Sequence, residues 1–242
     1  MVKTEIEYTY MQLLTRHNTK LAKASKKGYL SQGVHLAPYK SKEGNVCPFA
    51  SKGCRQSCLN TSGFGCYNNV QVSRRKKTKL FFQDRDKFMF LLHQQIKNKI
   101  RFVMSKGMIP TFRINLTSDI AWEKIKFQGK NLMDHFPNVQ FYDYCKDDKR
   151  MMKFLAGNFP KNYHLTFSRS ETNKKKCDAV MAKGGNVAVV FEKRIPKTYL
   201  RKRVVTGMEH DLRFLDPKNV VIGLLAIGRA KKDDTGFVVK QR

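Results

Sequence analysis

From residue 109 onward the sequence alternates short apolar stretches with stretches of helical periodicity. Strands are predicted at 29–37, 109–116, 139–144, 163–167, 186–191 and 220–227, and helices at 84–106, 118–135, 149–157 and 171–183. Strands that alternate with helices form βαβ units and a mainly parallel sheet. Right-handed crossovers then predict an α/β fold, a TIM-like full or partial (β/α) barrel. A doubly wound open sheet is the competing topology, which periodicity alone does not exclude.

The length of 242 residues suits one large domain. Lysines at 20, 23, 26 and 27 precede the first predicted strand. We therefore expect residues 1–28 to form a basic N-terminal extension, and residues 29–242 to form a single barrel-like domain that carries a cysteine loop at 47–66.

The apolar stretches bear on location as well as on fold. None approaches the length that spans a bilayer, and the first residues, Met1-Val2-Lys3-Thr4-Glu5, lack the apolar region of a signal peptide. We expect an intracellular protein without a membrane partner, whose thiols stay reduced.

The charge balance is strongly positive. Lys and Arg number 48 against 19 Asp and Glu, for a formal net charge of +29. Such a chain attracts polyanions, which indicates nucleic acid or another polyanion as a partner. The lysines are spread along the chain rather than gathered in one stripe, so a solvated lysine-rich surface explains the charge equally well.

The cysteines are clustered in one loop. Cys47, Cys54 and Cys58 follow the spacing C-x6-C-x3-C, and Cys66 comes eight positions after Cys58. Pro, Gly, Ser and Ala between them indicate a loop. An iron–sulfur cluster ranks first because it tolerates irregular spacing, zinc ranks second because it favours closer pairs, and a metal-free loop ranks third. Disulfides are disfavoured in a reducing compartment.

The number of ligands decides what such a cluster does. Four cysteines would close it as an electron carrier or a structural clip, whereas Cys47, Cys54 and Cys58 alone would leave one iron open. Cys66 is the candidate fourth ligand. Cys145, at a strand end, is another candidate ligand or a redox thiol, and Cys177 lies on a predicted helix and is expected to be incidental.

Polar residues also follow the predicted strands, where parallel α/β folds place their functional groups. Each residue alone is explained by helix capping, but the set indicates function because the cysteine loop lies on the same rim. The candidates for cofactor binding are Ser118, Asp119 and Ser168, and those for catalysis are Asp119, Tyr144, Lys146 and Arg169.

An ordered series of motifs resembles a phage-encoded family known as gene product eighty-eight. The motifs are Cys47-Pro48-Phe49-Ala50, Cys54, Cys58-Leu59, Gly63-Phe64-Gly65, Thr117-Ser118-Asp119, Tyr142-Asp143-Tyr144 and Leu165-Thr166-Phe167-Ser168. The resemblance implies a virus-encoded protein. Its members look like radical S-adenosylmethionine enzymes in outline, which implies a TIM-barrel-like fold and a [4Fe–4S] cluster on Cys47, Cys54 and Cys58.

Two departures weigh against S-adenosylmethionine as a ligand. Radical S-adenosylmethionine enzymes usually space their cysteines more tightly, and Thr117-Ser118-Asp119 stands where they typically carry Gly-Gly-Glu.

Two functional hypotheses follow. The first is a viral [4Fe–4S] protein of the infected host's cytoplasm, with redox or cluster-based chemistry at the C-terminal rim. It would be a radical-S-adenosylmethionine-like enzyme or another iron–sulfur oxidoreductase served by an unknown electron donor. The second is a nucleic-acid-binding protein stapled by zinc or an iron–sulfur cluster, in which the basic residues 74–79 hold phosphates.

Overall fold

The computed structural model of the chain describes residues 11–15 and 19–241. Its centre is a nine-stranded sheet. The strands in chain order are β1 (Tyr29–Gly33), β2 (Ile109–Arg113), β3 (Lys126–Phe127), β4 (Lys130–Asn131), β5 (Gln140–Cys145), β6 (Tyr163–Ser168), β7 (Val187–Phe191), β8 (Thr198–Tyr199), β9 (Lys202–Thr206), β10 (Val221–Leu225) and β11 (Val238–Val239). Of these, β3 and β4 form a separate hairpin.

The strand order is β1-β2-β5-β6-β7-β10-β9-β8, with β11 beside β7. All pairs in the large sheet are parallel except β8 with β9. The prediction of a mainly parallel α/β fold is therefore confirmed. Among the described strands β1 and β8 end the order without pairing to each other, so the sheet is open and the closed barrel is not shown.

The C-terminal strand fills a gap in this sheet. β6 pairs only with the first two residues of β7, whereas β11 pairs with Val190 and Phe191 at its other end. Arg169, just after β6, donates from Nη1 to the carbonyls of Gly236 and Phe237 at 2.9 and 2.8 Å. This cation fixes the approach of β11 to the C-terminal edge of the sheet.

Seven helices accompany the described strands. They are α1 (Thr19–Ala22), α2 (Lys52–Gln56), α3 (Asn68–Gln83), α4 (Arg85–Met104), α5 (Leu132–His135), α6 (Asp148–Leu155) and α7 (Lys174–Ala182). The helical periodicity at 84–106 is confirmed by α4, which buries Phe88, Leu92, Ile96 and Val103 on one face. Asp84 caps it, because its Oδ1 accepts from Lys87 N at 2.9 Å.

The main core lies on one side of the sheet, beneath α4, α6 and α7. Fully buried Phe112, Phe141, Phe167 and Phe191 come from four different strands. Burying each such side chain contributes roughly 1.5–3 kcal/mol, so these rings account for much of the sheet-to-helix packing. The opposite side of β5 presents Tyr142 and Tyr144 to two smaller clusters instead.

The prediction of a helix at 118–135 is wrong. The segment contains a 3₁₀ turn at Trp122–Lys124, the β3–β4 hairpin and the short α5. Asn115 keeps the start of this segment from forming a helix, because its Oδ1 accepts from Ser118 Oγ, Ile120 N and Trp122 Nε1 at 2.7, 3.0 and 3.0 Å. A side chain that gathers three donors holds the backbone in a turn rather than in a helix.

Two further segments bear on the predictions. The residues between β7 and β10, for which the sequence patterns predict neither helix nor strand, form β8 and β9. Of the predicted extension 1–28, residues 1–10 and 16–18 lie outside the described part of the chain. Within the described part, no helix is both long and apolar enough to cross a membrane.

Candidate functional site

The cysteine loop is an anchored structure. Ser51 Oγ donates to Glu171 Oε2 at 2.7 Å, and Gly53 N donates to Glu171 Oε1 at 2.8 Å. A Cβ on Gly53 would lie only 2.3 Å from Thr235 Oγ1, so only glycine allows α2 to approach the C-terminal segment this closely. One carboxylate and one glycine therefore place Cys54 against the rim of the sheet.

Two of the predicted ligand sulfurs are hydrogen-bonded to backbone groups. Cys47 Sγ donates to the Thr117 carbonyl at 3.4 Å, and Cys58 Sγ accepts from Asn60 N at 3.5 Å. Burial raises the pKa of Cys47 to about 12 and also raises the pKa of Cys58. These two side chains are neutral thiols at pH 7, and a metal bound here would have to displace their protons.

The prediction of a [4Fe–4S] protein is wrong for this structure. Among the described residues, which include all six cysteines, no group of three or more His, Cys, Asp or Glu side chains could hold a metal ion. Cys66 is exposed. Cys145 is buried in the main core and donates to the Asp147 carbonyl at 3.2 Å. The donor set therefore fits neither the cluster nor the zinc staple of the second hypothesis.

Asp119 and Lys146 lie beside the thiols. Asp119 Oδ2 accepts from the backbone N of Lys146 at 3.2 Å, and its Oδ1 lies 3.8 Å from Arg150 Nη1. Burial raises the pKa of Asp119. Although burial alone would lower the pKa of Lys146, Cys54 and Asp119 hold it above its ordinary value. Ser118 is buried and bonded to Asn115.

The remaining predicted site residues lie in other surroundings. The Tyr144 hydroxyl donates to Asp211 Oδ1 at 3.2 Å, and the Arg113 guanidinium lies 4.5 Å from the Tyr144 ring centroid. Arg169 donates to the carbonyl of Phe237, next to β11, and the Ser168 carbonyl accepts from Asn173 Nδ2 at 3.0 Å. The structure thus brings Asp119 and Lys146 together near the thiols, and it places Tyr144 and Arg169 with different partners.

A cleft of about 1260 Å³ lies next to the cysteine loop. One wall is α3, which contributes Asn69, Val70, Ser73, Arg74 and Lys77. The segment 59–67, here called the lip, also lines the cleft; it contains two 3₁₀ turns and is hydrogen-bonded to α3.

Two buried cations lie in this cleft. Arg74 and Lys77 are 7% and 9% exposed. Arg74 Nη1 donates to the Asn60 carbonyl at 2.7 Å and Lys77 Nζ donates to the Leu13 carbonyl at 3.0 Å, but Arg74 Nε is buried without a hydrogen-bond partner. Within residues 11–15 and 19–241, neither forms an ion pair with a carboxylate. Buried charges are ordinarily paired, so these two leave the cleft electropositive.

Two titratable groups show the strength of this field. Burial and the Arg74 charge lower the pKa of Lys77 to about 8. Burial, followed by the charges of Arg74 and Lys77, lowers the pKa of His35 to about 3, so His35 is neutral at pH 7. An anion in the cleft would relieve the repulsion between Arg74 and Lys77.

The lip of the cleft is apolar and held in place. Phe64 and Tyr67 are 69% and 57% exposed, and their ring centroids lie 6.0 Å apart. Gln71 Nε2 donates to the Asn60 carbonyl at 2.8 Å, which ties the lip to α3. The cleft therefore combines a cationic interior with an aromatic edge.

The sequence patterns identified only part of this arrangement. The basic residues 74–79 are visible in the sequence, but the sequence patterns do not predict α3, the helix that turns Arg74 and Lys77 inward. The recurrence of Val70, Arg74, Lys77 and Phe81 at spacings of three and four residues is the signal that could have indicated α3.

Comparison with known proteins bears on the family alone. No curated protein and no solved structure matches the chain. A family model described as Gene product 88 matches residues 12–241. The match confirms the family predicted from the motifs and with it the prediction of a phage protein, and it does not extend to iron–sulfur or radical chemistry. The chain belongs to the gene product 88 family.

Proposed function

We propose that this protein binds nucleic acid, and that the cleft lined by α3 and the segment 59–67 holds its phosphates. The observation that carries the proposal is the pair of buried cations, Arg74 and Lys77, with no carboxylate paired to either in the described part of the chain. Phosphate oxygens are the natural counter-charge for such a pair.

The surroundings of the cleft favour a polyanion over a small anion. Arg75 and Lys76 are exposed on α3. A second basic group, Arg229, Lys231 and Lys232, is exposed on the 3₁₀ turn at Gly228–Lys232, and a Cβ on Gly228 would lie 2.3 Å from Ser62 Oγ in the lip. Exposed cations on α3 and on this turn would extend the contact beyond one phosphate.

This function requires no metal. Hydrogen bonds that Glu171 accepts from the cysteine loop, and that Gln71 and Arg74 donate to the lip, hold the local structure. The net charge of +29 supplies long-range attraction and fast association with a polyanion.

The first test compares two lysines of the same helix. Lys77→Met keeps an unbranched chain in the cleft and removes its charge, whereas Lys79→Met removes an exposed charge near Glu43 and outside the cleft. Binding of short DNA and RNA oligonucleotides is measured by fluorescence anisotropy from low to moderate KCl. We expect affinity to fall steeply with salt, and Lys77→Met to weaken binding about tenfold against about twofold for Lys79→Met.

The proposal has a second measurement that does not depend on a variant. Because the pKa of Lys77 is about 8 in the free protein, its charge is lost as pH rises through that value. Affinity of the unaltered protein is therefore expected to fall between pH 7 and pH 9. Absence of binding to any oligonucleotide at low salt, or equal effects of the two substitutions in folded protein, would overturn the proposal.

A further inference from the structure

We infer that the cleft selects unpaired nucleotides: a single strand enters it with bases stacked on Phe64 and Tyr67 and with phosphates directed at Arg74 and Lys77. This inference rests on the proposed function and adds the class of nucleic acid that the same cleft takes.

The aromatic lip is the first observation. Phe64 and Tyr67 both line the cleft, and their rings are inclined at 38° with centroids 6.0 Å apart. Leu59 and Ile227, which also line the cleft, are 47% and 46% exposed. An exposed aromatic pair above buried cations matches the combination of stacking surface and basic groove that single-strand-binding proteins use.

The depth of the cations is the second observation. Arg74 and Lys77 both line the cleft and are only 7% and 9% exposed, so they lie below its rim. A rigid duplex keeps its bases paired inside and presents its phosphates on a convex surface. A flexible strand can instead lower a phosphate to buried cations and turn a base onto the lip. A single strand can therefore make both contacts, phosphate with cation and base with aromatic ring.

The rigidity of the lip is the third observation. A Cβ on Gly65 would lie 2.4 Å from the Asn60 carbonyl oxygen, so the two turns pack too closely for any other residue. Asn60 Nδ2 donates to Gln71 Oε1 at 3.1 Å, in addition to the bonds that its carbonyl accepts from Gln71 and Arg74. A platform already held to α3 loses little conformational freedom on binding, which favours stacking.

The experiment compares three probes with the same sequence: a 12-nucleotide single strand, its duplex, and a strand with the same phosphates in which the central bases are replaced by abasic sites. Phe64→Ala is the test variant, because the side chain is mostly exposed and its removal leaves the fold intact. Phe90→Ala is the matched control, since Phe90 is 49% exposed on α4 and does not line the cleft.

For the unaltered protein we expect the single strand to bind about tenfold more tightly than the abasic strand, as loss of base stacking predicts. Phe64→Ala should remove most of that difference, and Phe90→Ala should preserve it. The duplex should bind more weakly than the single strand in the same KCl concentration.

The failure of this inference differs from the failure of the proposed function. Equal, salt-dependent affinity for all three probes, with no effect of Phe64→Ala, would overturn the single-strand assignment and leave nucleic-acid binding standing. A lack of binding to every probe would overturn both. Tyr67→Ala provides a second variant. If both variants still bind the single strand more tightly than the abasic strand to the same degree as the unaltered protein, the inference is also overturned.

Discussion

At the scale of single residues, buried charge is the most consequential feature. Asp211 is fully buried, with Oδ1 at 2.8 Å from Lys20 Nζ and Oδ2 at 2.7 Å from Arg113 Nη1. Burial alone would raise the pKa of Asp211, but the Arg113 and Lys20 cations hold it below its usual range. The same residue also accepts from the Tyr144 hydroxyl, so one carboxylate joins α1, β2 and β5.

Replacing Asp211 is therefore expected to be costly. Asp211→Asn leaves Arg113, whose side chain is 13% exposed, without its carboxylate and should lower the free energy of unfolding by about 3–5 kcal/mol at pH 7. Asp178→Asn is the control, because the Lys174–Asp178 pair is exposed and contributes below about 1 kcal/mol. Urea unfolding of both variants measures the difference, and similar midpoints would contradict the role assigned to Asp211.

The sign of the pH dependence provides a sharper check. A carboxyl whose folded pKa is lowered contributes stability that is present above its unfolded pKa, about 4, and is lost as pH falls below that value. The cost of Asp211→Asn should therefore shrink between pH 5 and pH 3. A constant cost across that range would indicate that packing, and not charge, is lost.

The cysteines show what residue types alone leave open. Their clustering in one loop is visible in the sequence, and the structure keeps Cys47, Cys54 and Cys58 in one region. Whether sulfurs converge on a metal depends on side-chain direction, which the sequence does not encode locally. Cys47 Sγ donates to the carbonyl of Thr117, which lies seventy positions along the chain, and Cys58 Sγ accepts from Asn60 N.

At the scale of elements, the cysteine loop depends on a distant carboxylate. Glu171 accepts from both Ser51 and Gly53, so it holds the start of α2 to the turn after β6. Glu171→Ala removes both bonds, and we expect the partly buried Cys47 and Cys58 to react severalfold faster with iodoacetamide. Peptide mass spectrometry of partly labelled protein measures each site separately.

Two comparisons give this prediction its control. Buried Cys177, which packs in the main core and donates to Asn173 Oδ1 at 3.4 Å, should label no faster in Glu171→Ala. Asp178→Ala, which removes an exposed carboxylate from α7, should leave the rates at Cys47 and Cys58 unchanged. Faster labelling of Cys177 would mean that the whole fold has loosened, and unchanged rates at Cys47 and Cys58 would mean that Glu171 does not hold the loop.

Elements differ in how far the sequence determines them. The helix α4 is predictable because its apolar face repeats over about four turns and Asp84 caps it. The segment 118–135 is not, because the Asn115 side chain captures its first donors and Gln128 and Gly129 take φ values of 48° and 81° to form the β3–β4 turn. A polar side chain before the segment overrides the periodicity within it.

At the scale of the whole molecule, the βα alternation predicts the class of fold and the parallel sheet but not its closure. Closure depends on whether the first and last strands meet, and in the described chain the order ends in the antiparallel β8–β9 pair. These short strands lie in a stretch rich in Lys and Arg with little periodicity, so neither their existence nor their direction could be predicted.

The net charge gives the last prediction, in which salt acts in opposite directions on the free and the bound protein. At +29 the folded chain repels itself, so screening by KCl should raise its melting temperature by about 2–4 °C for each kcal/mol relieved. A single-stranded oligonucleotide at a hundred times its Kd should add about 2.7 kcal/mol at low salt, which corresponds to about 5–10 °C.

The two effects are separated by thermal unfolding at rising KCl with and without oligonucleotide. The melting temperature of the free protein should rise with salt, while the increment due to oligonucleotide should shrink, because counterion release drives binding and is weakened by salt. An increment that persists at high salt would mean that phosphate contacts do not dominate binding. A fall in the melting temperature of the free protein would mean that exposed ion pairs such as Lys176–Asp148 outweigh the repulsion among the cations.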